Sequence, residues 1–236
     1  MAVIIPAILP ASREDLLEKL AQLSGVTTEA QIDVVDGKFA GPATWPYLER
    51  GTDPTNLGTL PEIQNLHVEV DLMVEEPEQM ASAWIGLGAT RVLLHVESTN
   101  YLPLILTNLK VKHGHTKGFT PGLLSFGLAV NIATDFARLE PYLGDIDYVQ
   151  FMGIKNIGKQ GQPFATEVLN RIAVFRARHP EVPIQVDGGV NSESAVLLLR
   201  AGVSRLVVGS ALWKAGDFKY AYDQFMSLTE THGLYE

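Results

Sequence analysis

The sequence predicts an α/β fold of the (β/α)8 TIM-barrel type, and three observations carry that expectation. The chain has 236 residues, close to the roughly 250 typical of such a barrel. Short apolar runs alternate with amphipathic stretches from one end to the other, giving eight strand signals separated by helical patterns. Polar residues also recur at alternate positions inside strands: Gln31, Asp33 and Val35 share one face, as do His67, Glu69, Asp71 and Met73. In a closed barrel those faces point inward, toward a polar layer at the top. A doubly wound open sheet would produce the same alternation. Eight, the number of strands that closes, and the polar inner faces favour the barrel.

In order, the strands are expected at Val3–Leu9, Ala30–Val35, Leu66–Met73, Arg91–Val96, Phe126–Val130, Tyr148–Met152, Ile184–Val186 and Arg205–Val208. Helical periodicity is clear at Arg13–Leu23, Pro77–Leu87, Ala165–Arg178 and Ser192–Ala201. Glu14 and Asp15 near the start of the first helix, and Arg176 and Arg178 near the end of another, suit the helix dipole. No shift in composition marks a boundary, so residues 1–236 are expected to form one domain.

Hydrophobic residues make up 46% and charged residues 19% of the chain, an ordinary folded composition. A net charge of −9 argues against nucleic acid, whose phosphates need clustered Lys and Arg. It does not exclude one small anion, which a few backbone N–H groups can hold. With no cysteine, disulfides and thiolate metal sites are excluded. The N-terminus does not read as a signal peptide, and no apolar run is long enough to span a bilayer. A cytoplasmic protein with no membrane partner is expected.

Gln31, Asp33, Asp71 and Asp187 all fall toward strand C-termini, where a barrel gathers its reactive groups. Any one of them could simply cap a turn, and Asp36 before Gly37 reads that way. Three segments suit an oxyanion: Gly188-Gly189 after the seventh strand, Gly209-Ser210 after the eighth, and Gly158-Lys159-Gln160-Gly161 after the sixth. Glycine lets the backbone approach a phosphate, and the last two loops of this fold are a frequent phosphate site. His95 ends a strand and reads as packed or hydrogen-bonded. His113-Gly114-His115 reads as a solvated loop, and His179 and His232 as residues near helix ends. Dinucleotide, Walker and nucleophile-elbow motifs are absent.

Together these residues resemble the ribulose-phosphate 3-epimerase family, a ribulose-phosphate-binding type of barrel. Ile5-Pro6-Ala7-Ile8-Leu9 is similar to its opening Ala-Pro-Ser-Ile-Leu strand, and Asp33-Val34-Val35-Asp36-Gly37-Lys38-Phe39 to its Asp-Val-Met-Asp-Gly-x-Phe signature. Asp71-Leu72-Met73-Val74-Glu75-Glu76-Pro77 follows the family's His-Leu-Met-Val-x-x-Pro except at its first residue. His95-Val96-Glu97, Gly127-Leu128-Ala129-Val130-Asn131, Val186-Asp187-Gly188-Gly189-Val190 and Gly209-Ser210 stand in register. The resemblance implies inversion at C3 of a ketose phosphate in carbohydrate metabolism. Asp33 and Asp187 match its acid/base pair, Met73 and Met152 line the enediolate region, and Gly188, Gly189, Gly209 and Ser210 fall at its phosphate-binding positions; Gly158 and Gly161 are expected to bind the phosphorylated substrate too, although their loop is altered from the family's, with an apparent one-residue insertion upstream. It also implies a homo-oligomer.

The departures concern the metal. The family holds a divalent ion with two histidines and two aspartates. Here Gln31 and Asp71 stand at the histidine positions, Ala7 at that of a substrate-contacting serine, and Val35 at that of a third methionine. Zn²⁺ and Fe²⁺ favour imidazole. A set of Gln31, Asp33, Asp71 and Asp187 suits Mg²⁺ or Mn²⁺ instead, or no metal. No tightly bound cofactor is expected. Three carboxylates without a cation should repel one another, so one is expected to be protonated or paired with a cation such as a lysine ammonium. An epimerase is the leading reading, and a re-purposed, non-catalytic barrel that binds a phosphorylated ligand is the alternative. A different lyase or isomerase of the superfamily is a third, although the Asp-x-Lys-x-x-Asp of hexulose-phosphate synthases is absent.

Overall fold

The fold described here is that of a computed structural model, which describes residues 2–49, 51–117 and 123–233. Eight strands close into a parallel barrel in sequence order. They are β1 (Val3–Ile8), β2 (Glu29–Val35), β3 (His67–Met73), β4 (Arg91–His95), β5 (Ser125–Val130), β6 (Tyr148–Met152), β7 (Ile184–Asp187) and β8 (Arg205–Val208). Every expected strand is present, each end within one residue of the sequence reading. The open-sheet alternative is excluded by the pairing of β8 with β1, where Val3 lies opposite Arg205 and Pro6 opposite Val208.

The helices are α1 (Arg13–Leu23), α2 (Pro77–Leu87), α3 (Leu102–His113), α4 (Glu167–Arg178), α5 (Ser192–Arg200), α6 (Ser210–Trp213) and α7 (Phe218–His232). Ser12 caps α1 by accepting from the Asp15 N–H, and Asn191 and Ser194 form a reciprocal capping box on α5. After β2 only a short 3-10 turn, Pro61–Asn65, stands where a helix would, and after β5 there are two such turns. α3 is less regular in sequence because it is apolar on much of its circumference. Leu102, Ile105, Leu106 and Leu109 are buried, while Leu104 and Val111 are exposed.

The reading of His113-Gly114-His115 as a solvated loop is corrected. His113 ends α3, Gly114 takes the left-handed conformation that stops it, and His115 is buried. His115 Nε2 lies 2.9 Å from Asp147 Oδ2, and its ring meets Phe126 edge-on. A histidine whose charged partner is 32 residues away in sequence leaves no local signal.

Alternation divides each strand between two environments. Outward residues such as Ile32, Val70, Leu94, Leu128, Phe151, Val186 and Leu206 pack against the helices in one large core. The inward residues form separate groups. Leu93, Ala129, Tyr148 and Met152 make one apolar cluster, and Ile5, Ala7 and Val207 another. Between them β2, β3, β6 and β7 contribute buried polar side chains: Gln31, Asp33, Glu69, Asp71, Gln150 and Gln185. Gly127 belongs to this architecture for a steric reason. A Cβ there would lie 2.3 Å from the Tyr148 ring, which in turn stacks on the Arg91 guanidinium at 3.8 Å.

Candidate active site

Closure of the barrel brings carboxylates from β2, β3 and β7 together at its mouth. Asp33 pairs with Asp71 across β2 and β3, and Asp187 pairs with Met152 across β6 and β7. One oxygen from each of Asp33, Asp71 and Asp187 lies within 4.8 Å of the others. Both candidate acid/base residues therefore converge with Asp71, as the strand-end reading requires.

Each carboxylate meets fixed donors. Gln31 Nε2 donates to Asp33 Oδ1 at 2.9 Å and to Asp187 Oδ2 at 3.2 Å. Gln150 Nε2 donates to Asp71 Oδ2 at 3.1 Å, and also lies 3.4 Å from the Met152 sulfur. His95 Nε2 lies 3.0 Å from Asp71 Oδ1, and its Nδ1 lies 3.9 Å from Glu97 Oε2. Burial works against charge on His95, but Asp71, with Glu97 and Asp187 behind it, outweighs burial and raises its pKa. The basic group beside the carboxylates is thus a histidine, where the sequence reading had offered a lysine ammonium as an example. Phe39, from the loop after β2, covers the His95 ring at 5.3 Å between centroids.

The two remaining acids carry the repulsion. Burial, followed by the negative charges of Asp187 and Asp71, holds the Asp33 carboxyl well above the usual carboxylate range, with the Gln31 hydrogen bond opposing. Burial and then Asp71 push Asp187 up to about 7. Asp36 is a turn carboxylate, as read: its Oδ1 accepts from the N–H groups of Lys38 and Phe39 and its Oδ2 from Glu75.

The spacing of Asp33, Asp71 and Asp187 could hold a metal ion, but the fourth candidate ligand, Gln31, does not fit one. Its Oε1 accepts from Gln185 Nε2 at 3.2 Å, and its N–H side faces Asp33 and Asp187. An amide nitrogen that donates is no ligand, and no imidazole stands free because His95 is engaged by Asp71. The donor set is not that of the transition-metal site the resemblance implies.

Beside the carboxylates lies a narrow cleft with about 40 Å³ of free space. Asp33, Asp187, Met73, Met152, Gly158, Gly161, Gly188, Gly189, Gly209 and Ser210 all line it. Every residue expected to be catalytic or substrate-binding therefore meets in one place. Two glycines are also required by packing. Gly188 and Gly189 have φ of 103° and 69°, and a Cβ on Gly189 would lie 2.6 Å from the Phe164 backbone. Gly209 is different. The atoms nearest a Cβ there belong to the Gln160 side chain, whose Nε2 donates to the Ala7 carbonyl at 3.2 Å. Gln160 thus crosses the floor of the cleft between β1 and β8. A wider groove at the opposite end of the barrel, lined by Leu20, Val26, Leu66, Tyr222 and Met226 among others, gathers none of these carboxylates.

Sequence reading did not single out Gln150, Gln185, Lys214 or the inward arginines. Gln150 and Gln185 each stand two residues before a residue that was named, Met152 and Asp187, so strand alternation carried the signal. Lys214, whose Nζ lies 3.3 Å from the place a Gly161 Cβ would take, carried none.

Residues 3–213 match the model of the ribulose-phosphate 3 epimerase family. The chain is 31% identical over 225 residues to the chloroplastic ribulose-5-phosphate-3-epimerase of Arabidopsis thaliana, covering 93% of this chain and 74% of that one. It is 29% identical over 230 residues to the ribulose-phosphate 3-epimerase of Bacillus subtilis, covering 95% and 98%. Among solved structures, the 3-hexulose-6-phosphate synthase from Salmonella typhimurium superposes with a TM-score of 0.68 at 16% identity, over 98% of this chain and all of that one. The KGPDC from Streptococcus mutans gives 0.69 at 10% identity, over 98% of this chain and 99% of that one. The latter two show a shared barrel. With the carboxylates, the glycine-lined cleft and the family match in agreement, the chain belongs to the ribulose-phosphate 3 epimerase family.

Proposed function

We propose that this protein is a sugar-phosphate epimerase that inverts C3 of a ketose phosphate, with Asp33 and Asp187 as its acid and base. The observation that carries the reading is that these two carboxyls converge at the glycine-lined cleft, both made protonatable near neutral pH by burial and by their carboxylate neighbours. Burial and mutual repulsion raise the proton affinity of both, that of Asp187 to about 7. An acid and a base can then coexist in one cleft. One carboxylate takes the C3 proton and leaves the electron pair in an enediolate. The other carboxyl returns a proton to the opposite face of the same carbon. The Gln31 amide, which donates to both carboxyls, and His95, which holds Asp71, fix the geometry of the pair from behind. Met73 and Met152 help exclude water. The glycines after β6, β7 and β8 receive the phosphate, with Lys214 beside Gly161 contributing positive charge.

One observation favours a second reading, a re-purposed barrel that binds a phosphorylated ligand without turning it over. The Gln160 side chain lies against Gly209, in the space a phosphate would share. Proton exchange at C3 of ribulose 5-phosphate in D2O, with and without Mn²⁺, decides between the two. The epimerase reading requires exchange without added metal, and a purified, folded protein that exchanges nothing in either condition overturns it.

A further inference from the structure

We infer that Gln185, held by Arg205 and Glu69, is a positioning residue that keeps the Gln31 and Gln150 amides turned N–H-first toward the site carboxylates, in place of a bound cation. The inference deepens the proposed function, on which its catalytic meaning rests, but its structural content stands separately.

The direction of every amide in this network follows from two groups that have no choice. Arg205 can only donate, and its Nε lies 2.8 Å from Gln185 Oε1. The Arg205 guanidinium is itself anchored on Glu29 at 2.7 Å. Glu69 is fully buried and forms an ion pair with the Arg91 guanidinium, which requires its carboxylate form. An ionised carboxylate only accepts, so Glu69 Oε1 receives Gln185 Nε2, while its Oε2 takes Arg91 Nε at 2.8 Å. Gln185 is therefore oriented from both ends. Its oxygen faces Arg205, and its two amide hydrogens serve Glu69 and Gln150, the nearer acceptors, with the Gln31 oxygen sharing one of them.

The next layer up has no freedom left. Gln185 Nε2 lies 3.2 Å from Gln31 Oε1 and 2.7 Å from Gln150 Oε1. Both oxygens must point down to accept, so both NH2 groups point up. They reach Asp33 and Asp187 from Gln31, and Asp71 from Gln150. Turning Gln31 over would set its NH2 group against that of Gln185. All three glutamines and Glu69 are fully buried, where no water can relieve such a mismatch. The order in which the barrel stacks its layers, arginine and glutamate below, amides between, carboxylates above, thus fixes what the carboxylates see. A cation would need the amide oxygens that Gln185 holds away.

The test reverses the middle layer. In Gln185→Glu a carboxylate replaces the donor, so Gln31 and Gln150 should turn their NH2 groups down and offer oxygens to Asp33, Asp71 and Asp187. Mn²⁺ binding, followed by electron paramagnetic resonance without any sugar, should strengthen at least about 10-fold over the native protein, the scale on which groups behind a metal's ligands act. Because the new charge faces Glu69 and could prevent folding, Gln185→Met, of similar volume and uncharged, is the second variant. There the side-chain amide resonances of Gln31 and Gln150, assigned by their loss in Gln31→Met and Gln150→Met, should move and exchange faster with solvent. Stoichiometric Mn²⁺ binding by the native protein at micromolar concentration overturns the inference. So do unchanged amide resonances in folded Gln185→Met, or unchanged Mn²⁺ affinity in folded Gln185→Glu. None of these readouts uses turnover. A native protein inactive on ribulose 5-phosphate but with the amides so ordered would sink the epimerase reading alone.

Discussion

At the scale of single residues, the chemistry depends on two aspartates made unlike by their neighbours. Asp33 is almost fully buried and faces both other carboxylates, whereas Asp187 sits at the edge of the cleft with part of its surface exposed. Asparagine is nearly isosteric with either but takes no proton at neutral pH. Asp33→Asn and Asp187→Asn should each lower turnover by at least about 100-fold, with far-ultraviolet circular dichroism unchanged. A folded Asp187→Asn protein with full epimerisation would exclude the assignment. The same pair predicts a pH profile. In the direction where Asp187 is the base it must be ionised, so kcat/KM should rise with pH and level off above about 7. A profile flat from pH 5 to 9 would remove Asp187 from that role.

At the scale of elements, the strand pattern was legible and the contents of its inner layer only partly so. Alternation in β2 and β3 exposed Gln31, Asp33, Glu69 and Asp71 because four polar residues interrupt apolar runs. In β6 and β7 the same rule applies to Gln150 and Gln185, but each is a lone amide in a short strand. What they do is set by Arg205 and Glu69, which are remote in sequence. His95 illustrates the same limit, since its partner Asp71 lies 24 residues away. Steric glycines were invisible for a related reason. Gly127 carries no phosphate signature, and its necessity comes from Tyr148 on the next strand. Gly127→Ala should therefore destabilise the fold by about 1–3 kcal/mol or more, as overpacking does, read from urea unfolding. A native-like midpoint would show that Tyr148 can move. Gly209 has the opposite expectation. The atoms nearest its would-be Cβ belong to a flexible glutamine that can move aside, so Gly209→Asp should fold. Its carboxylate would repel a phosphate, and sugar-phosphate affinity should fall below detection in calorimetry. Unchanged affinity in the folded variant would move the anion elsewhere.

At the scale of the whole molecule, the barrel has two interiors of opposite character. The layer between strands and helices is apolar and stabilises the fold by removing surface from water. The layer inside the strands is a column of charges and amides, and it makes stability depend on pH. Asp187 gives the clearest sign. Its folded-state pKa is about 7 against an ordinary value of 3.8, so between those limits the folded protein keeps a proton that the unfolded chain has released. Stability from this group therefore falls as pH rises from about 4 to about 7, and is level above. Asp187→Asn removes the titrating group while its side-chain oxygen can still accept from Gln31. The variant should match the native protein near pH 4 and exceed it at pH 8 by at least about 1 kcal/mol, roughly 2–4 °C in Tm for a chain of this size. The gap should open across that window and not beyond it. Melting curves at pH 4, 6 and 8 measure it directly. A variant less stable than the native protein at pH 8 would mean that Asp187 is held ionised in the folded state by a cation. Both the metal-free site and the amide layer beneath it would then have to be abandoned together.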